Sequence, residues 1–99
     1  MRKVKVKICG LKRAQDIECV NKLLPDYIGF VFAKTKREVT EQQAAQLKAM
    51  LNPQIKAVGV FVNAEIDLIV RLAASRTIDI IQLHGDEDAA YCERLRLQT

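Results

Sequence analysis

The stretch VKVKIC, residues 4–9, alternates aliphatic side chains with polar ones along its whole length. Successive side chains of a β-strand point to opposite faces of a sheet, so this stretch predicts a strand with one aliphatic face and one face that carries Lys5, Lys7 and Cys9. An open, doubly wound sheet packs helices against both faces and needs two apolar ones. The interior of a parallel barrel can hold polar side chains that point at a ligand or at partner acids. The stretch therefore favours a barrel over an open sheet.

The rest of the chain repeats one unit, in which a short β-branched run precedes a polar turn and an amphipathic stretch. The four predicted strands are Val4–Cys9, Tyr27–Phe32, Lys56–Val62 and Ile78–His84. Three intervening stretches have apolar side chains at helical spacing, and a fourth helix is predicted over Glu87–Leu97. The apolar positions are Ile17, Val20 and Leu24, then Ala44, Leu47 and Leu51, then Ile66, Ile69, Val70 and Ala73. Strands that alternate with helices predict an α/β fold with parallel pairing and right-handed crossovers.

The number of units limits the architecture. Each unit takes roughly 25 residues, and eight of them would need about 200, the lower bound of a (β/α)8 barrel. The 99 residues hold four units, which leaves a small open sheet or half of a barrel. In the fourth strand Gln82 and His84 share one face, opposite Ile81 and Leu83, as the polar residues do in the first strand. We therefore expect residues 1–99 to form one domain, the amino-terminal half of a (β/α)8 TIM barrel, with the carboxyl-terminal half absent.

The composition, 49% hydrophobic and 28% charged, is that of a globular protein. No apolar run approaches the roughly 20 residues of a membrane span, and the amino-terminal MRKVKVK lacks the apolar region of a secretory signal. The three cysteines, Cys9, Cys19 and Cys92, are spaced neither as a disulfide framework nor as a metal-binding pair. We expect a reduced, cytoplasmic protein with no membrane partner.

The net charge of +4 raises the question of a nucleic-acid partner. The basic residues are scattered among acidic ones, and no aromatic side chains alternate with them as stacking platforms for bases. We expect no nucleic-acid partner and, instead, a site for an anionic small molecule.

Local signals mark the helix starts. Thr40 before Glu41 predicts an N-cap, and so does Asn63 before Ala64. The acidic residues 86–88 are predicted to lie in the first turn of the fourth helix, where they offset its dipole. A metal cluster formed by these acids with His84 is the less common alternative.

The carboxyl ends of the strands carry the active site of a parallel barrel. In this chain they read KICG (7–10), GFVFAKTKR (29–37), VGVFVN (58–63) and IQLHGDE (81–87). In this order and at these intervals, the four motifs closely resemble those of the phosphoribosylanthranilate isomerase family of tryptophan biosynthesis. The resemblance runs along the whole chain.

The resemblance implies a (β/α)8 barrel of about twice this length. It also implies an Amadori rearrangement, which converts N-(5-phosphoribosyl)anthranilate to 1-(2-carboxyphenylamino)-1-deoxyribulose 5-phosphate without a cofactor. An acid protonates the ring oxygen so that the ring opens to an iminium, and a base then removes the C2 proton. The family's acid, an aspartate of a later strand, and the phosphate site would lie beyond Thr99. We therefore expect the 99-residue chain alone to be inactive.

The family's base is the cysteine of the first motif, so the resemblance assigns that role to Cys9. A thiol suits it because an ordinary thiol pKa of about 8.5 is close enough to neutrality for a modest local field to produce a thiolate. Lys7, on the same strand face, could supply part of that field and is predicted to bind substrate. Gly10 leaves room for substrate beside the sulfur. Cys19 and Cys92 lack this context and are predicted to be structural.

Three further residues match positions of the family's site. Arg37 matches the arginine that binds the anthranilate carboxylate, a planar anion that suits a guanidinium fork. Gln82 and His84 match positions that line the pocket and are predicted to contact substrate or to support the acid–base groups.

Two other functions stay open. One is a different phosphosugar barrel enzyme. Such an enzyme would need a different set of strand ends from the motifs KICG and QLHG. The other is a half-barrel that assembles or binds without catalysis. Cutting a closed barrel exposes two sheet edges, so in either case we expect the chain alone to self-associate.

Overall fold

The computed structural model describes residues 7–33 and 38–98. Strands and helices alternate through them as predicted: β1 Lys7–Cys9, α1 Ala14–Leu23, β2 Tyr27–Phe32, α2 Glu41–Met50, β3 Lys56–Phe61, α3 Ile66–Ala74, β4 Ile80–Leu83 and α4 Ala89–Gln98. Residues 4–6 of the predicted first strand, and Arg37, lie outside the described residues. No helix within the described ranges is long and apolar enough to cross a membrane.

The four strands form one parallel sheet in chain order, β1-β2-β3-β4. A doubly wound sheet reverses its strand order at a switch point, whereas consecutive strands of a (β/α)8 barrel are neighbours throughout. The chain order confirms the predicted α/β class and is the order of consecutive barrel units.

The two faces of the sheet differ in what covers them. Residues in register across a parallel sheet point to the same side. Helices cover the side formed by Ile28, Phe30, Phe32, Ala57 and Phe61, all buried, with Ile8, Ile81 and Leu83 packed against them. The opposite side, called the interior face below, is formed by Lys7, Cys9, Tyr27, Gly29, Val31, Lys56, Val58, Val60, Ile80 and Gln82.

The helices bury most of the apolar positions that their spacing predicted, but Val70 and Ala73 are only half-buried and Leu24 is exposed. Buried positions of the first three helices include Ile17, Val20, Ala44, Leu47, Ile66 and Ile69. Full burial of a valine, leucine or isoleucine side chain contributes about 1.5–3 kcal/mol. Leu24 follows α1 in left-handed backbone with φ 51°. Its side chain therefore leaves the buried face and is 50% exposed.

One of the two predicted N-caps is confirmed. The Thr40 hydroxyl accepts a hydrogen bond from the Gln43 backbone at 3.1 Å, and the Gln43 side chain accepts one from the Thr40 backbone at 2.9 Å. The prediction for Asn63 was wrong. Glu65 occupies the N-cap of α3, which begins at Ile66, and Asn63 lies before it in left-handed backbone with φ 49°.

β4 is shorter than the predicted Ile78–His84, because it ends at Leu83 and because its first two predicted residues close the connection from α3. The Ile78 backbone N–H donates to the Leu72 carbonyl at 3.4 Å. Asp79 donates its N–H to the Ala57 carbonyl at 2.7 Å, and its carboxylate accepts the Ala57 N–H at 2.8 Å. These bonds fix the start of β4 beside β3.

The sheet edges generate a prediction about assembly. β1 and β4 each have one neighbour in the described sheet, and an open edge is a template for pairing with another chain. We expect residues 1–99 alone to self-associate at micromolar concentration, most simply as a two-fold dimer, when measured by sedimentation equilibrium. Ile80 lies on the β4 edge and is 38% exposed, so Ile80→Lys should shift the chain towards monomer.

Leu97→Lys is the matched control, because Leu97 is 73% exposed and belongs to the helix α4 rather than to an edge strand. This substitution should leave the association unchanged. A monomeric wild-type chain that unfolds cooperatively would show instead that the four-stranded sheet is self-sufficient.

Candidate active site

Cys9 is the last residue of β1, and its side chain is half-buried on the interior face. Gly29 of β2 is its partner in the register. A Cβ atom built on Gly29 would lie 2.7 Å from the Cys9 Sγ, well inside normal contact distance. The sulfur therefore occupies the space that a side chain at position 29 would fill.

The backbone after Cys9 is fixed by the same neighbour. The Gly29 carbonyl accepts hydrogen bonds from the N–H groups of Gly10 at 3.0 Å and of Leu11 at 3.4 Å. Gly10 has φ 86°, a conformation that disfavours any residue with a Cβ. The turn that follows Cys9 thus requires a glycine at position 10. The sequence alone indicated only room for substrate as the reason for this glycine.

Lys7 and Gln82 meet across the interior face. The Lys7 Nζ donates to the Gln82 Oε1 at 2.6 Å, although these residues belong to the first and last strands of the sheet. Three strand spacings of roughly 4.8 Å separate these strands in a flat sheet, and strand side chains stand about perpendicular to it. The contact therefore requires the sheet to curve towards the interior face, as it does in a barrel.

A hollow of about 380 Å³ lies on this concave side, lined by Lys7, Tyr27, Val58, Ile80, Ile81 and Gln82. The sequence placed Lys7 beside the thiol, and the two residues do share the interior face. The amine, however, binds Gln82. The predicted site residues Lys7, Cys9 and Gln82 thus occur on one surface.

His84 follows β4 at the carboxyl end of the sheet. Its backbone N–H donates to the Phe61 carbonyl at 2.8 Å, and its side chain is exposed. Arg37 lies outside the described residues. Glu38, which follows it in the chain, bridges to Val31 of β2.

A clamp formed by Asn63, Gly85 and Glu87 joins the loops after β3 and β4. The Glu87 carboxylate accepts the N–H of Asn63 at 2.7 Å and that of Gly85 at 2.8 Å. The Asn63 side-chain oxygen accepts the Asp86 N–H at 2.9 Å. A Cβ at Gly85 would lie 3.0 Å from Asn63 atoms, so the loops approach closely only because Gly85 lacks a side chain.

The acidic stretch after His84 therefore differs from its prediction. α4 begins at Ala89 and has no acid in its first turn. Asp88 precedes it and accepts the Tyr91 N–H at 2.8 Å, as an N-cap does. Glu87 holds the loops rather than offsetting a helix dipole. Within the described part of the chain, no group of three or more His, Cys, Asp or Glu side chains is arranged to hold a metal ion.

The charge of Glu87 is stabilised by its donors. Burial of the carboxylate would by itself raise the Glu87 pKa, but the backbone N–H groups of Asn63, Glu87 and Gly85 and the nearby His84 hold the pKa below its ordinary value. A carboxylate that accepts several N–H bonds is favoured over its protonated form.

Comparison with known proteins decides the family. The model of the N-(5'-phosphoribosyl)anthranilate isomerase family matches residues 6–99. The chain belongs to this family. An isomerase of this name from Lachnoclostridium phytofermentans is 50% identical over 95 residues, which are 96% of this chain and 44% of that protein. One from a Thermoanaerobacter species is 48% identical over 93 residues, 94% of this chain and 46% of that protein.

Solved structures of phosphoribosylanthranilate isomerases share the fold. Monomers generated from the dimeric Thermotoga maritima enzyme match with a TM-score of 0.84 at 35% identity, over 96% of this chain and 49% of that one. An isomerase in complex with reduced 1-(o-carboxyphenylamino)-1-deoxyribulose 5-phosphate matches with a TM-score of 0.83 at 33% identity, over 97% of this chain and 50% of that one. The chain thus spans about half the length of the isomerases it matches.

The clamp generates a prediction about pH. The Glu87 pKa is lower in the folded than in the unfolded chain, so its carboxylate stabilises the fold above the unfolded-state pKa. This stabilisation is lost as the pH falls through the folded-state pKa. We expect Glu87→Gln to lower the urea midpoint at pH 7 and to have a smaller effect at an acid pH below the folded-state pKa, where the wild-type carboxyl is protonated as well.

Glu93→Gln is the matched control, because Glu93 contacts Arg96 on the exposed side of α4 rather than the loops. It should change the midpoint little at either pH. If wild type and Glu87→Gln had equal urea midpoints at pH 7 and equal amide exchange rates at Asn63 and Gly85, the clamp would not stabilise the loops.

Proposed function

We propose that this chain forms the amino-terminal half of a phosphoribosylanthranilate isomerase and supplies the general base of its Amadori rearrangement. The observation that carries the proposal is the place of Cys9. Its thiol lies at the carboxyl end of β1, on the concave side of the sheet, in a chain whose residues 6–99 match the isomerase family. Active sites of (β/α)8 barrels lie at this end of the strands.

The reaction starts with opening of the aminoaldose ring. An acid donates a proton to the ring oxygen as its bond to C1 breaks, and the nitrogen lone pair forms the C1 iminium. This acid and the groups that bind the phosphate would come from the carboxyl-terminal half of the barrel. No cofactor enters, because the rearrangement moves protons within one substrate without net oxidation.

Cys9 acts in the second step. Its thiolate takes the proton from C2, and the electrons of that C–H bond form the C1–C2 double bond of an enolamine as the iminium is neutralised. Tautomerisation then gives the ketone at C2. A positioned base of this kind contributes roughly 10²–10⁴-fold to the rate.

The other predicted residues bind and orient the substrate. Arg37 pairs with the anthranilate carboxylate, as a guanidinium fork does with a planar anion. Lys7 and Gln82, joined at 2.6 Å, present an amine and an amide on the interior face. His84, exposed at the carboxyl end of the sheet, contacts the substrate near the mouth of the site.

The decisive experiment restores a whole barrel. The test protein, called the joined barrel below, is this chain fused to the carboxyl-terminal half of the Thermotoga maritima isomerase. Its turnover is followed by the loss of substrate fluorescence. We expect isomerase activity, and we expect Cys9→Ala to lower kcat at least by the roughly 10²–10⁴-fold expected for a positioned base, with little change in KM.

Cys92→Ala and Cys19→Ala are matched controls, since both thiols are free and exposed. They should leave kcat within about twofold of the parent, as surface substitutions usually do. If Cys9→Ala also does so, Cys9 has no part in the mechanism. A folded joined barrel without turnover would favour a half-barrel that assembles or binds without catalysis.

Arg37 should affect binding rather than the chemical step, because its contact already exists in the bound substrate. In the joined barrel we expect Arg37→Ala to raise KM, with a loss in kcat/KM on the order of 2–4 kcal/mol for a charged pair. Arg96→Ala, which alters an exposed arginine on α4, should leave KM unchanged. A fall in kcat at constant KM would contradict the role of Arg37 as carboxylate anchor.

A further inference from the structure

We infer that Gly29 is a positioning residue for the Cys9 thiol. Because Gly29 has no side chain, the sulfur can lie against β2 in the space that a Cβ atom at position 29 would fill. The structural half of this inference stands alone, and its catalytic half rests on the proposed role of Cys9.

The contact is specific to the sulfur. A Cβ at position 29 would lie 2.7 Å from the Cys9 Sγ, but 3.3 Å from its Cβ and 3.4 Å from its Cα. Carbon atoms of well-packed side chains approach to about 3.5–4.0 Å, and sulfur is larger than carbon. The two carbon contacts need shifts of a few tenths of an ångström, whereas the sulfur contact is prohibitive.

The sulfur is also the atom that can move most easily. It is the far end of a side chain with one rotatable bond, so it can turn to another staggered rotamer, a displacement on the order of 3 Å. An alanine at position 29 would thus be accommodated by rotation of Cys9. The substitution should therefore displace the thiol while costing the fold comparatively little.

The backbone of Gly29 has a second role, which does not depend on the missing side chain. Its carbonyl holds the turn after Cys9 through the N–H groups of Gly10 and Leu11, and alanine retains a carbonyl. Gly29→Ala therefore keeps the acceptor of that turn and fills the space above the strand.

Displacement of a reacting group by about 1 Å can cost on the order of 100-fold in rate. A thiol moved by a whole rotamer no longer faces the C2 proton that it reaches from its place over Gly29. The effect should appear in kcat, because the residues proposed to bind substrate are untouched.

Gly59 provides the matched control. It is also a strand glycine, but it lies on the helix-covered face, where an added Cβ would meet Ile78 and Phe61 side-chain atoms at 2.9 Å. Gly59→Ala should lower the thermal midpoint by overpacking the core and should leave the thiol in place. Comparison of Gly29→Ala with Gly59→Ala therefore distinguishes an effect of thiol displacement from an effect of lower stability.

The experiment measures the Cys9 rotamer and the kinetics in the same joined barrel. With cysteine-selective labelling, the NMR coupling between the Cys9 α- and β-protons reports χ1. We expect Gly29→Ala to change χ1 and to lower kcat on the order of 100-fold, with KM within about threefold. We expect Gly59→Ala to retain the wild-type χ1, and a kcat within about twofold, despite its lower thermal midpoint.

An unchanged χ1 in Gly29→Ala overturns the inference. A changed χ1 with an unchanged kcat overturns the catalytic half, provided that Cys9→Ala is inactive in the same protein. If Cys9→Ala keeps its turnover, the proposed function fails instead, and χ1 alone decides whether Gly29 sets the place of the sulfur.

Discussion

The alternation of side chains across the β2–β3 pair is the constraint on which the rest of the structure depends. These strands pair over all six residues of each, and their helix-covered side includes the fully buried Phe30 and Phe61. Phe32 and Phe61 stack with ring centroids 5.2 Å apart, an offset arrangement that adds to burial. Because this side binds the helices, the other is left for Lys7, Cys9 and Gln82. A one-residue slip of register would exchange the two faces.

The carboxyl end of the sheet combines chemistry with local reinforcement. Cys9 is set there by its strand, and a left-handed glycine turn follows it immediately. On the far side, the Glu87 carboxylate and the Asn63 amide join two loops through backbone N–H groups. Such polar contacts need little apolar burial, so they can fix loops that lie outside the core. A preorganised end of this kind is what a reaction at the strand ends requires.

The curvature of the sheet links the fold to the site. The contact between Lys7 and Gln82 spans the interior face and brings the first and last strands towards each other on the concave side. In a closed barrel, further strands would complete that surface. The match to about half of each solved isomerase agrees with this geometry, since four consecutive units supply half of an eight-unit barrel.

The order of elements, the parallel class, the interior position of Cys9 and most of the core were predictable from sequence, because they follow from periods of two and 3.6 residues. The four strand-end motifs predicted the family by their resemblance to those of phosphoribosylanthranilate isomerases, a match that periodicity alone does not give. The sequence did not predict the left-handed backbone that turns Leu24 outward after α1. Two further features were decided by tertiary structure alone, because Glu87 joins loops that are distant in sequence and the Cys9 sulfur fills the space above Gly29 of the next strand. Both depend on the position of a neighbour from another unit, and no pattern within one segment records that distance.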